Sequence, residues 1–285
     1  MMKTKQILSQ LALVAITIMT SAAGCSSDKT TDDNGGSGND NGTTKDKWAS
    51  LVNETKYDLK VSDSKATYGS HTYEVTGSLP QPDEDVNNDG IYDVEEYLGK
   101  TTATVVFSNI PSGYTEFEAV YNGLLGKSIH GTAAMIPMAF EIYARDAATG
   151  EKCLNLLCNS SATVTGIVRT LKQKLVPSQY ASADDLYIQR FLAAALLKGA
   201  TPDNAYNPST PYTVEMGPSV NAPQEVSISG NGTDYFLYIF GKGWDTEQRG
   251  VEVFLEKGAS LYKVFNCPST YTQCKNIVGT WQGLK

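Results

Sequence analysis

Along residues 55–77 apolar and polar side chains alternate, with Tyr57, Leu59 and Val61 and then Tyr73 and Val75 two residues apart. That period predicts strands at about 55–61 and 66–77, each with one buried face. Thr102–Phe107 is rich in β-branched residues and predicts another. From residue 115 the period lengthens to that of a helix. Thr115 followed by Glu118 reads as a capping box, with Phe117, Val120, Tyr121 and Leu124 on one face. Thr132–Arg145 is apolar nearly all round, which predicts a buried helix bent or begun at Pro137. Val164, Ile167, Val168, Leu171 and Leu175 form a third stripe, while Arg169, Lys172, Gln173 and Lys174 face water. A fourth helix is expected over Leu186–Leu197, capped by Ser182 with Asp185 at N3 and stopped by Gly199 and Pro202.

The last third returns to strand periodicity. Glu225–Ser229 and Asp234–Phe240 flank Gly230-Asn231-Gly232, a hairpin signal. Val251–Leu255 and Leu261–Phe265 flank a second tight connection at 256–260, and Tyr212–Met216 precedes them all. Strands and helices are segregated along the chain, so the expected class is α+β. About four helices should pack on a mostly antiparallel sheet that ends in a C-terminal meander.

The first 47 residues have a different character. Lys3 and Lys5 precede an apolar run from Ile7 to Met19, and small residues Ser21-Ala22-Ala23-Gly24 lead to Cys25. The run is too short to span a bilayer and ends like a cleavage site, so residues 1–24 read as a secretory signal. Residues 26–47 contain no Leu, Ile, Val, Phe or other aromatic residue. Gly, Ser, Asn, Asp and Thr cannot offset the entropy of ordering, so 25–47 reads as a flexible tether, at most about 3.3 Å long per residue. Residues 48–285 remain for a single α+β domain, ample for a packed core. Ala22-Ala23-Gly24-Cys25 resembles the lipobox of bacterial lipoproteins. The resemblance implies cleavage before Cys25, acylation of that cysteine, and a membrane tether rather than a span. The acidic start after Cys25 is similar to export signals of Bacteroidetes surface lipoproteins, which implies the outer membrane and its exterior face.

Net charge is −8, and only His71 and His130 supply imidazoles. An acidic chain lacks the basic footprint that nucleic acid requires. Acidity concentrates within 83–100, where Asp85-Val-Asn-Asn-Asp-Gly90 opens a patterned stretch: Asp85, Asn87, Asp89, Gly90, Asp93 and Glu96 occupy positions 1, 3, 5, 6, 9 and 12 of a calcium loop. A hard divalent ion takes six to eight oxygens, and alternate side chains of one wrapped segment supply them, with the Ile91 carbonyl as backbone ligand. Leu79-Pro-Gln-Pro82 cannot form the entering helix of a full EF-hand. The segment resembles instead the single-helix calcium loops of dockerins and other secreted bacterial proteins. That implies a structural Ca²⁺ held with a dissociation constant on the order of 10⁻⁴ to 10⁻³ M.

Cys153, Cys158, Cys267 and Cys274 form an even set that suits two disulfides or buried thiols in an exported protein, and their spacings are not those of a zinc site. No nucleophile-elbow, metalloprotease, dinucleotide or P-loop motif is present, so no catalytic residue is assigned. His130 reads as a capping or packing residue and His71 as solvated. Tyr235-Phe-Leu-Tyr-Ile-Phe240 with Trp244 in a glycine-flanked turn is the aromatic cue for a ligand, set against core packing.

From about Gly131 onward, Met135–Tyr143, Gln189–Gly199, Gly243–Asp245, Gln248–Phe254 and Lys263–Tyr271 resemble an uncharacterised domain family of Bacteroidetes-type exported lipoproteins. The resemblance carries no activity. The expectation is a surface or periplasm-exposed binding or structural module, for a glycan or a partner protein, with one structural Ca²⁺. The alternative is an exported carboxylate-dependent hydrolase such as a glycosidase, which needs only two well-placed carboxyl groups.

Overall fold

Strand alternation and helical stripes resolve into one sheet and four α-helices in the computed structural model, which describes residues 52, 54–78, 103–175, 188–218, 226–229 and 231–285. All of these belong to the unit Gly42–Lys285. The strands are β1 (Leu59–Ser62), β2 (Lys65–Tyr68), β3 (His71–Gly77), β4 (Ala103–Phe107), β5 (Tyr212–Gly217), β6 (Val226–Ser229), β7 (Gly232–Phe240), β8 (Gln248–Glu256) and β9 (Lys263–Asn266). Every pairing between them is antiparallel, in the order β1-β2-β3-β4-β5-β7-β8-β9, with β6 beside β7. The helices are α1 (Tyr114–Gly123), α2 (Ile129–Arg145), α3 (Ala147–Leu157) and α4 (Ser161–Leu175). The α+β expectation holds.

Three elements differ from the sequence reading. The expected strand 66–77 is a hairpin, because Gly69 adopts a left-handed φ of 59° and Tyr68 pairs with His71 across a two-residue turn. The fourth helix is α3, which carries no clean apolar stripe in sequence; Asp146 caps it by accepting from the Thr149 amide at 2.7 Å. Of the helix expected at 186–197, residues 186–187 lie outside the described residues. Residues 188–197 form buried turns and a short 3₁₀ segment, Ala194–Leu196. There the chain tightens to i+3 hydrogen bonds, as from the Leu196 amide to the Ala193 carbonyl at 3.2 Å. The C-terminal meander forms as expected from β6 to β9, while β5 joins β7 rather than β6, so β5 and β6 share one side of β7.

The core lies between the sheet and α2. Along β4 and β5 the buried side chains are Ala103, Val105, Phe107, Tyr212, Val214 and Met216, the alternation of a sheet with one covered face, and Gly217 at the end of β5 is buried too. α2 runs unbroken through Pro137, and all of its residues but His130 are buried. Its first turn is capped by Ser128, which accepts from the Gly131 amide at 3.1 Å. The Thr115–Glu118 capping box does not form; Gly113 is the N-cap of α1 and Glu118 accepts from the Tyr114 hydroxyl instead. Val164, Ile167, Leu171 and Leu175 are the buried stripe of α4, as the period implies.

α3 folds back on α2 at a point of backbone contact. A Cβ at Gly150 would stand 2.2 Å from the Tyr143 Cα, so the two helices approach as only glycine permits. Gly150→Ala is therefore expected to lower stability by about 1–3 kcal/mol despite alanine's better helix propensity. A urea titration with a lower midpoint and an unchanged slope is the expected readout; an unchanged midpoint refutes the close packing.

Candidate functional site

Among the described residues two carboxylates are buried, Glu116 and Glu141, and the first is held in part by residues from a distant stretch of the chain. Glu116, in the first turn of α1 and 1% exposed, accepts four hydrogen bonds. Its Oε1 receives the Tyr73 hydroxyl at 2.7 Å and faces His71 Nδ1 at 2.8 Å. Its Oε2 receives both the amide and the hydroxyl of Ser112 at 2.7 Å. Burial and the neighbouring Glu116 push the Tyr73 phenol well above its ordinary pKa, so it remains a donor. His71 was read as solvated, but its side chain is 23% exposed and held by this carboxylate. With Nδ1 donating to Glu116, Nε2 is the other ring nitrogen. Ser112 donates to the carboxylate rather than to the imidazole, so the three residues do not form a serine–histidine–carboxylate relay. It fastens β3 to α1.

The second carboxylate is Glu141 in α2. Its Oε1 accepts from Arg145 Nε at 2.9 Å, one helical turn on. Burial raises its pKa, and Arg145 and Arg190 oppose that shift. Arg145 Nη2 also donates to the Leu284 carbonyl at 2.9 Å, and Arg190 Nη1 donates to the Ala144 carbonyl at 3.0 Å. The strap at 284–285 is held further by the Tyr212 hydroxyl, which accepts from the Lys285 amide at 2.8 Å. Both guanidinium groups and the carboxylate thus close the end of α2.

The four cysteines of the domain are buried free thiols. Cys153 and Cys158 lie five residues apart at the end of α3 and so point to different sides of the helix axis. Cys158 sits at the edge of β9, where it bridges Val264, and Cys267 follows that strand. Cys274 is gripped by Gln189, which accepts from its amide at 3.1 Å and donates to its carbonyl at 2.8 Å. Burial pushes the Cys267 and Cys274 thiols up to about 12 and the Cys153 and Cys158 thiols likewise upward. Nucleophilic thiolates are disfavoured at all four. His130 is half-buried, and burial lowers its pKa, which keeps it neutral.

The aromatic cue resolves toward packing. Trp244 is 7% exposed, with the Arg249 guanidinium 4.8 Å from its ring centroid. Tyr235 packs on Tyr262 at 5.8 Å, and Phe236 and Tyr238 meet edge to face at 5.0 Å. The calcium-loop residues Asp85, Asn87, Asp89, Ile91, Asp93 and Glu96 lie outside the described residues, as does Cys25. The stems of that connection are described: Gly77 at the end of β3 pairs with Ala103 at the start of β4. Among the described residues no three His, Cys, Asp or Glu side chains gather as metal ligands, and no helix is long and apolar enough to cross a membrane.

Glu116 and Glu141 went unnoticed in the sequence. Glu116 reads there as an ordinary acidic residue in a helix start, and His71 and Tyr73 lie over forty residues away. Glu141, alone in an apolar run with Arg145 four residues on, was the one signal available.

These features define an α+β domain whose buried polar groups serve mainly to bind its own segments together. The chain belongs to a family described as a domain of unknown function (DUF6935), matched over residues 109–278. No curated protein and no solved structure matches it. The match begins after β4, yet β4 pairs along its whole length with β5, so the sheet is continuous across that boundary. Gln189 and Arg190, which belong to the stretch Gln189–Gly199 that resembles the family, are internal fastenings to Cys274 and Ala144.

Buried thiols with raised pKa values should resist an aromatic disulfide reagent in the folded protein. Four thiols from the domain should react promptly once guanidinium unfolds it, without prior reductant. Recovery of fewer than four under those conditions would show that pairs are oxidised.

Proposed function

We propose that the protein is an exported, lipid-anchored binding module that a polar tether holds away from the outer membrane, with one Ca²⁺ ordering the connection between β3 and β4. The observation that carries the calcium reading is the six-position pattern at Asp85–Glu96, lying within 78–102 between stems whose register is fixed at Gly77 and Ala103. Both ends of the connection are anchored in the sheet, so ion binding orders only the segment between them. Seven carboxylates lie between Asp83 and Glu96 with no Lys or Arg among them. Their mutual repulsion favours a bound cation. The prolines before the loop and the absence of a second such loop in the sequence favour a structural ion over a sensor pair.

The anchoring part of the reading is supported by the small residues before Cys25 and by the apolar-free tether after it. A binding role, for a glycan or a protein, accords with buried carboxylates that are already engaged in fastening the fold. The family shares no established activity that adds to this.

Calorimetric titration should give saturable Ca²⁺ binding with a dissociation constant on the order of 10⁻⁴ to 10⁻³ M, and Asp89→Ala should weaken it by about tenfold or more. Absence of saturable heat, or a constant untouched by Asp89→Ala, removes the calcium reading. Separately, mass spectrometry of protein from bacterial membranes should find an acylated N-terminal Cys25, and Cys25→Ser should release the chain into the soluble fraction. An unmodified N-terminus elsewhere in the chain argues against the anchor.

A further inference from the structure

α1 has two polar faces with different fates. Its Glu116 side is tied into the fold, while Thr115, Glu118, Ala119 and Asn122 on the other side form one wall of an open groove of about 580 Å³. The opposite wall is the segment Lys56-Tyr57-Asp58 that leads into β1, with Tyr68 at the end of β2. We propose that this groove is a carbohydrate-binding site that takes a pyranose ring against Tyr57. The proposal gives the binding-module reading a ligand class and rests on it, but it needs neither the lipid anchor nor calcium.

Tyr57 is 55% exposed, which leaves much of its ring open to a ligand. The ring is also held. The Tyr68 ring meets it edge to face at 5.5 Å with an interplanar angle of 87°. The Tyr57 amide donates to the Tyr68 hydroxyl at 3.0 Å, and that hydroxyl donates to the Thr55 carbonyl at 3.2 Å. Gly69 lies against the Cγ–Cε2 side of the Tyr57 ring, where even a Cβ would come within 3.0 Å. A ring fixed in this way loses little freedom when a ligand arrives.

The rest of the groove is polar. Asp58 and Glu118 offer carboxylate acceptors, Lys56 a cationic donor, and Asn122 an amide with both functions. Glu118 is oriented by the Tyr114 hydroxyl at 2.8 Å. A flat apolar ring beside mixed donors and acceptors matches a pyranose, whose C–H face is apolar and whose hydroxyl rim both donates and accepts. An apolar peptide side chain would meet only the tyrosines and Ala119. The volume suits one or two sugar units rather than a long chain.

The test is a titration of ¹⁵N-labelled protein with maltotriose, cellotriose and chitotriose, followed by amide resonances, with a proline-rich peptide as comparator. At least one sugar should move resonances of residues 56–58 and 115–122 saturably. Tyr57→Ala should weaken that binding by about tenfold or more, and Tyr57→Phe should leave it within about threefold. Glu118→Gln and Asn122→Ala provide variants that spare the ring. Shifts from no sugar, shifts clustered elsewhere, shifts that survive Tyr57→Ala in a folded variant, or shifts from the peptide alone would each overturn the assignment. None of these outcomes bears on the calcium titration, so the two readings fail independently.

Discussion

The structure depends on burying α2 on every side. A helix with no solvated face cannot leave a charge to water, so its polar groups must find partners within the protein. Glu141 Oε1 and Arg145 meet part of that demand by pairing, and Arg145 extends the pair to the Leu284 carbonyl, while Glu141 Oε2 and the Thr132 hydroxyl have no hydrogen-bond partner among the described residues. Gly150 lets α3 close on α2 at the Tyr143 backbone. Sheet, helices and the C-terminal strap are therefore positioned by one apolar rod and the few polar contacts that allow it to be buried.

Polar fastening recurs wherever segments distant in sequence meet. Glu116 joins β3 to α1 by binding His71, Tyr73 and Ser112, and Gln189 clasps the backbone of Cys274. Groups that in isolation suggest catalysis serve structure here: Glu116 accepts from three residues, Glu141 pairs with Arg145 through one oxygen, and burial holds the thiols protonated. The surface proposed for recognition is the outward side of α1, where Tyr57 stands in a polar groove. Binding there would use the rigidity that the Glu116 fastening gives to the same helix, without disturbing it.

The connection between β3 and β4 links the part of the sheet outside the family match to the strand that borders it. Its stems are set by five register pairs from Tyr73–Phe107 to Gly77–Ala103. A metal ion in such a connection would act on one hairpin and leave the main core unchanged. That separates the proposed calcium chemistry from the proposed recognition surface, which is built on β1, β2 and α1.

The sequence by itself determined the elements whose period is strong. The α+β class, the buried α2, the stripe of α4 and the hairpin at residues 229–232 all follow from local alternation and turn residues, because each such element buries a face that its own spacing defines. It misplaced the fourth helix, since Phe191–Leu197 has the composition of a helix and is buried in turns by its neighbours, while Ala147–Leu157 is helical with a mixed pattern. The partners of Glu116, the strap bound by Arg145 and the ring held by Gly69 and Tyr68 were decided only by tertiary structure. Each joins residues that no local period relates, and a hydrogen bond or ring contact between them exists only after the sheet has formed.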